Sequence, residues 1–446
     1  MKFRVSGRLP LLPHQARVSS SLNHQLQRRY FRFFFRKLYA SAKASLKNGP
    51  NSSNSDGNSF LVPGATVATI CMLGVLHARR LYDDKKVDAA RAKGIELEFQ
   101  PDVKASFLRV LPLRTISQIL GSLASVELPV WLRPYVYKAW ARAFHSNLEE
   151  VALPLEKYAS LRDFFVRSLK EGSRPLDSDP LCLVSPVDGI VLRFGELKQA
   201  GAMIEQVKGF SYSVSSLLGA SSLFPEVAEN AKDDKKNEGN DFVDKSKKSW
   251  WRVTLASPRV WDPTPACPMK GVFYCVLYLR PGDYHRIHSP VDWNVLVRRH
   301  FSGCLYPLNE RATRTIRNLY VENERVVLEG QWQEGFLALA AIGATNIGSI
   351  ELFIEPELRT NRPRKKFLHS EPPDEHVYEP EGMGVMLRKG DEVAAFNLGS
   401  TIVLVFQAPV SRSAGDEALS EFRFSIKQGD KIRMGEALGR RHSMQQ

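Results

Sequence analysis

The run Thr401-Ile-Val-Leu-Val-Phe406 constrains the fold more than any other stretch. Six consecutive apolar or β-branched residues read as a buried strand, and the glycine just before the run marks a tight turn or a close backbone approach. Ser400 follows Gly399 directly at the head of this strand. A serine so placed can attack its own preceding carbonyl if the Gly399-Ser400 peptide is held strained and a base lies nearby. The dipeptide permits that chemistry; taken alone, it is equally a strand entered from a loop.

The texture upstream divides in two. Residues 105 to 170 carry helical spacing, with Leu113, Ile116, Ile119, Leu120 and Leu123 at three- and four-residue steps and a second set at Trp131, Tyr135 and Ala139. These faces either pack on the core or lie on a bilayer. Trp131, Arg133, Tyr135, Tyr137, Lys138 and Trp140 form the aromatic and basic mixture suited to a headgroup layer. From about Val184 short strands are split by Gly, Pro and Asp turns, and the strands resume at Trp251 after a charged, hydrophobe-poor insert at 225–249 that reads as a disordered surface loop. A second charged, breaker-rich loop is expected from Asn361 to Gly382. The expected class is therefore α+β: N-terminal amphipathic helices over 105–180 and a β-rich domain over 181–446. Lys389-Gly-Asp-Glu-Val393 and Gln428-Gly-Asp-Lys-Ile432 suit hairpins. With Pro186-Val-Asp-Gly189 they resemble lipoyl-like barrel-sandwich folds, although no lysine stands at a hairpin tip as a carrier domain would need.

The formal net charge of +14 suggests an anionic partner until its distribution is examined. Residues 1–50 hold eleven Lys or Arg and no Asp or Glu, which leaves +3 for the remainder (14 minus 11). No basic patch with nucleic-acid motifs stands out in the body. An Arg-rich, Ser-containing, acid-free leader fits a mitochondrial targeting segment better than a secretory signal. After the polar tract Asn51–Ser59, Phe60 to Leu76 runs for seventeen residues without a charge, and 51–80 is read as linker plus one transmembrane helix, with a buried or peripheral helix as the alternative. Five scattered cysteines without a Cys-x-x-Cys pair argue against a zinc site or a disulfide framework.

Several ordered motifs, Ser185-Pro-Val-Asp188-Gly189, Gln206-Val-Lys-Gly209, Arg280-Pro-Gly-Asp-Tyr-His285-Arg-Ile-His288-Ser-Pro290, Asn318-Leu-Tyr-Val-Glu-Asn323-Glu-Arg325 and Ile342-Gly-Ala-Thr345-Asn-Ile-Gly-Ser-Ile350, precede Leu398-Gly399-Ser400-Thr401. Together they resemble the phosphatidylserine decarboxylases over roughly residues 105 to 446. Asp188 alone reads as a turn aspartate and His288 alone as a loop histidine; the resemblance implies that they form the self-processing triad with Ser400. It further implies cleavage between Gly399 and Ser400 into chains 1–399 and 400–446, with Ser400 becoming a covalent pyruvoyl group, the cofactor. That ketone would form a Schiff base with the amine of phosphatidylserine and release CO2 to leave phosphatidylethanolamine, with His285 as the general acid of the decarboxylation stage. Mitochondrial members imply an inner-membrane anchor and a catalytic part in the intermembrane space. A metal held by His285 and His288 is disfavoured, because Pro281, Gly282 and Pro290 exclude the helix that such spacing would need. A non-catalytic scaffold and a triad serine hydrolase are the competing classes, and the latter lacks a Gly-x-Ser-x-Gly elbow.

Overall fold

A computed structural model describes residues 111–197, 202–219, 222–224, 270–308, 310–345, 349–362, 372–378, 384–397, 400–410 and 421–442. The targeting segment, the Phe60–Leu76 run, the insert at 225–249, the strands expected from Trp251 to 269 and the residues Leu398 and Gly399 lie outside them. Among the described residues no helix is long and apolar enough to cross a membrane.

The described helices are α1 (Leu113–Ala124), α2 (Arg133–Phe144), α3 (Leu161–Phe165), α4 (Val214–Leu218), α5 (Glu310–Thr315) and α6 (Leu319–Glu322). The strands begin with β1 (Leu183–Val184), β2 (Gly189–Glu196), β3 (Met203–Val207), β4 (Phe210–Ser213), β5 (Lys270–Leu279) and β6 (Arg286–His288). They continue with β7 (Trp293–Phe301), β8 (Arg325–Trp332), β9 (Gly335–Gly343), β10 (Ser349–Leu352), β11 (Asp374–Val377) and β12 (Val385–Leu387). The last are β13 (Glu392–Asn397), β14 (Ser400–Pro409), β15 (Glu421–Phe424), β16 (Lys431–Ile432) and β17 (Ala437–His442). This is the α+β, strand-rich class expected.

The Thr401–Phe406 run lies in β14, inside a nine-stranded sheet of order β11-β7-β8-β9-β14-β5-β2-β16, with β12 also on β7. β14 pairs antiparallel with β5 on one side and β9 on the other. Its side chains explain the unbroken apolar pattern. Ile402, Leu404 and Phe406 enter one core, with Leu277, Leu339 and Phe273, whereas Val403 and Val405 enter a second, with Val276, Ala340 and Tyr212. A strand buried on both faces has no polar face to alternate with. Small sheets flank this one: β10-β13-β6, β1-β17-β15 and β3-β4.

A third core belongs to the N-terminal helices and contains Tyr137, Trp140, Phe144, Leu161, Phe164 and Phe165. Here the structure corrects the helical reading. The packed face of α2 is Val136, Tyr137, Trp140, Ala141 and Phe144, while Trp131 and Tyr135 are each 71% exposed. Tyr137 and Trp140, counted above with a headgroup layer, are fully buried: they stack on Phe164 and Phe144. Helix also covers less of 105–180 than its periodicity suggested, since no helix lies between Val166 and Cys182. α3 is short but well capped: Ser160 and Asp163 form a reciprocal capping box.

Two loop readings also change. Asp374–Val377, inside the expected Asn361–Gly382 loop, is the edge strand β11 on β7. Its residues are exposed, so no apolar signal marked it; Arg298 and Arg299 secure it through Asp374 and Glu375. The two Gly-Asp turns do adopt one conformation, with Gly390 and Gly429 both at φ +91°. Neither is a hairpin. β12 and β13, on either side of the first, belong to different sheets, as do β15 and β16 around the second.

Because Phe406 is fully buried among Phe273, Trp332, Phe422 and Phe424, Phe406→Ala should destabilise the fold by about 3–5 kcal/mol. Urea unfolding of the two proteins measures this directly.

Candidate active site

The register of the large sheet gathers the motifs at one end. Ser400 opens β14 opposite Leu279 at the end of β5 and Gly343 at the end of β9. Ile190, near the start of β2, faces Tyr278. The chain therefore leaves β5 beside Ser400 and runs straight into Arg280–His288. β13, which leads to Ser400, pairs with β6, and the Phe396 amide donates to the His285 carbonyl at 3.0 Å. Gly189 is required by close approach: a Cβ there would lie 2.6 Å from the Tyr278 carbonyl oxygen.

Asp188 and His288 sit in two loops built alike. Ser185-Pro-Val-Asp188 and Ser289-Pro-Val-Asp292 repeat one sequence, and their backbones bond reciprocally. The His288 amide donates to the Pro186 carbonyl at 2.8 Å and the Val184 amide to the Pro290 carbonyl at 3.1 Å. In each loop the serine hydroxyl donates to the valine carbonyl, at 2.7 Å from Ser185 and 2.6 Å from Ser289. Each serine backbone is bound by a Gly-containing turn, Gly435-Glu436 for Ser185 and Gly390-Asp391 for Ser289. Each aspartate accepts a turn amide, Asp188 from Met434 at 2.8 Å and Asp292 from Lys389 at 2.6 Å.

The two halves differ in what surrounds the aspartates. Asp188 is buried and takes a bidentate ion pair from Arg174, with Nη2 to Oδ2 at 2.6 Å and Nε to Oδ1 at 2.9 Å. Arg174 is shared with Glu150 at 2.9 Å, and although burial works against its charge these two carboxylates raise its pKa above the ordinary arginine value. The Asp188 carboxylate is thus engaged by Arg174 and Met434, and the contacts of the His288 ring lie elsewhere.

His288 Nδ1 lies 2.8 Å from the Gly390 carbonyl, so that nitrogen carries the hydrogen and Nε2 keeps the lone pair. Nε2 is 3.0 Å from the Tyr284 hydroxyl. Burial raises the tyrosine pKa and lowers that of His288, so the hydroxyl donates to a neutral ring. His285 is fully buried, with its ring 4.2 Å from that of Phe165. Its Nδ1 donates to the Asp283 carbonyl at 2.8 Å, and Nε2 has no partner among the described residues. Burial, with the Arg167 charge assisting, drops its pKa to about 3. The histidines have separate partners, as a three-residue period on extended chain requires. Arg286 is occupied: Nη1 meets Glu392 at 2.6 Å and Nε the Val166 carbonyl at 2.9 Å.

Arg174 was not anticipated, and Tyr284 was not assigned, from the sequence. Arg174 stands fourteen residues from its aspartate in non-helical chain, beyond any local pattern. Tyr284, four residues from His288, could be found only by knowing how the loop bends.

Two buried histidines held toward the neutral form, a paired carboxylate and a strand headed by serine thus lie at one end of a sheet, an arrangement able to take up and return protons. A profile of the phosphatidylserine decarboxylase family matches residues 161–440, a span that includes Arg174, Asp188, Tyr284, both histidines and Ser400. The chain is 65% identical over 430 residues to the mitochondrial phosphatidylserine decarboxylase proenzyme 1 of Arabidopsis thaliana, covering 93% of this chain and 94% of the relative. It is 64% identical over 398 residues to that of Oryza sativa subsp. japonica (87% and 91% covered) and 36% identical over 372 to that of Saccharomyces cerevisiae (74% and 72% covered). The chain belongs to the phosphatidylserine decarboxylase family, lyases that convert phosphatidylserine into phosphatidylethanolamine and CO2.

A neutral buried His285 has a thermodynamic cost in acid. The unfolded ring binds a proton near pH 6.5 and the folded ring only near 3, so its contribution to stability is full above pH 6.5 and is lost progressively as pH falls toward 3. The loss approaches about 1.4 kcal/mol per pH unit. Urea midpoints between pH 7.5 and 4.5 should fall less steeply for His285→Gln than for the parent.

Proposed function

We propose that this chain is a self-processing decarboxylase precursor cut between Gly399 and Ser400, with a pyruvoyl group formed from Ser400 as its cofactor. The observation that carries the reading is the bond from the Phe396 amide to the His285 carbonyl, which ties the strand entering Ser400 to the segment bearing both histidines. In this reading His288 accepts the Ser400 proton at Nε2, the lone pair now bound by the Tyr284 hydroxyl. The serine oxygen adds to the Gly399 carbonyl and displaces its own amide nitrogen, giving an ester. Elimination then frees the upstream carboxylate, and hydrolysis of the resulting dehydroalanine releases ammonia and leaves the ketone. Asp188 acts with Arg174 and Met434 to hold the Pro186 loop against His288.

The residues present fit such a group. Its ketone, when formed, supplies an electron sink for the breaking Cα-carboxylate bond of an amine-linked substrate. His285 offers a buried, unpartnered Nε2, able to take a proton and return it at Cα.

The substrate is phosphatidylserine in a bilayer, and the exposed apolar residues of the helical region, Val130, Trp131, Tyr135 and Leu153, are the face offered to it. Relatives named mitochondrial support delivery by residues 1–50. In this reading 51–80 anchors the protein in the inner membrane, the catalytic part, 181–446, faces the intermembrane space, and the twin Ser-Pro-Val-Asp loops reflect a barrel-sandwich ancestry.

Intact-mass spectrometry of the purified protein should find a 400–446 chain whose first residue is pyruvoyl. Ser400→Ala should remain one chain without decarboxylase activity; a split product would refute the assignment. His285→Ala should still split, yet decarboxylate roughly 10²–10⁴-fold more slowly. An uncut His285→Ala protein would mean that the two histidine roles are exchanged.

A further inference from the structure

Arg167 is 3% exposed, and both its Nε and Nη1 are buried without a hydrogen-bond partner among the described residues. Nη2 donates to the Gly282 carbonyl at 3.1 Å, and the guanidinium carbon lies 5.2 Å from the centre of the Phe164 ring. Those contacts fix the side chain in place and leave most of its donors unused. A buried guanidinium keeps its charge, so desolvation without compensation is costly unless an anion arrives.

Among the described residues no carboxylate is left free to supply it. Asp188 and Asp283 are close enough for their charges to act on Arg167, but Asp188 is committed to Arg174 and Asp283 to Arg280 at 2.8 Å. Its acceptor Gly282 stands three residues before His285, and Phe164 adjoins Phe165, whose ring covers His285, so the guanidinium lies beside the proposed reaction centre. Arg286, the cation between the two histidines, is already paired with Glu392.

We propose that Arg167 receives the phosphodiester of the lipid headgroup. The inference rests on the decarboxylase reading and deepens it by assigning a headgroup residue. Phosphatidylserine brings two anions, and their fates differ. The carboxylate must surrender its charge to Cα, so a guanidinium held on it would stabilise the ground state above the transition state. The phosphate keeps its charge throughout, and binding it orients the substrate without opposing the chemistry. Neutralising Arg167 in this way also removes one of the causes that hold His285 unprotonated, which helps that ring carry a proton once substrate is bound.

The test uses the processed enzyme and glycerophosphoethanolamine, which carries the phosphate and lacks the carboxylate. It should inhibit the parent enzyme competitively, and Arg167→Gln should split normally, carry the pyruvoyl mass and show an inhibition constant raised at least about tenfold. On an O-acylserine amphiphile, which has the carboxylate and no phosphate, the variant's kcat/KM should fall at least about tenfold less than on phosphatidylserine. Equal inhibition of both enzymes, or no inhibition of the parent, would overturn the proposal. An equal loss on both substrates would move Arg167 to the carboxylate. If the glutamine variant does not accumulate, Arg167→Lys takes its place, with a smaller rise in the inhibition constant expected; failure of both folded variants to split would assign Arg167 to processing. Absence of a pyruvoyl chain in the parent would instead remove the decarboxylase reading itself.

Discussion

The site depends on two backbone hydrogen bonds, each from the residue just before one Ser-Pro-Val-Asp loop to the proline carbonyl of the other. Proline has no amide hydrogen to offer, but its carbonyl is a full acceptor and its ring limits how the loop can bend. The exchange therefore fixes two irregular segments against each other without burying unmatched polar groups. It also places His288 where its twin loop has Val184. In the proposed mechanism the catalytic base occupies one of two structurally equivalent positions, and the bonds around it repeat those of the other half. Asp188 illustrates this: it caps a turn amide as Asp292 does, and the added, half-buried Arg174 sets it apart.

The same burial that stabilises the fold sets the protonation of the site. Phe165, from a short capped helix, covers His285, and the helical region around it converts an edge of the sheet into an interior. Both histidines are pushed toward the neutral form, and carbonyl acceptors at Nδ1 leave the lone pair on Nε2 in each. In the proposed mechanism the N-terminal helices would thus contribute through desolvation, whatever their outer faces touch.

Much of this could be read from residues alone where the signal was local. The unbroken apolar run at 401–406 announced a buried strand, and the Gly-Asp turns share the φ that their glycines allow. What escaped depended on contacts distant in sequence. The pairing of Arg174 with Asp188 and the seating of Tyr284 on His288 follow from loop paths that no periodicity encodes. β11 was missed because an exposed edge strand held by ion pairs lacks the alternation that marks a half-buried one. The inward face of α2 was misjudged because Tyr137 and Trp140 suit both a bilayer surface and a core, and only packing against α3 decides between them.

β14 is laced to β5 from Ser400 to Pro409 and to β9 from Ser400 to Phe406. A chain end created at Ser400 would therefore open in the middle of a finished sheet, with neighbours already bonded on both sides. Scission there changes covalent connectivity while leaving the architecture closed, and it divides the history of the molecule into two regimes. Before it, β14 finds its slot as part of one chain; after it, a denatured molecule would need two separate strands of polypeptide to meet again, and recovery would become dependent on concentration. The cut would act as a ratchet: each active molecule would carry in its broken backbone the record of having folded first.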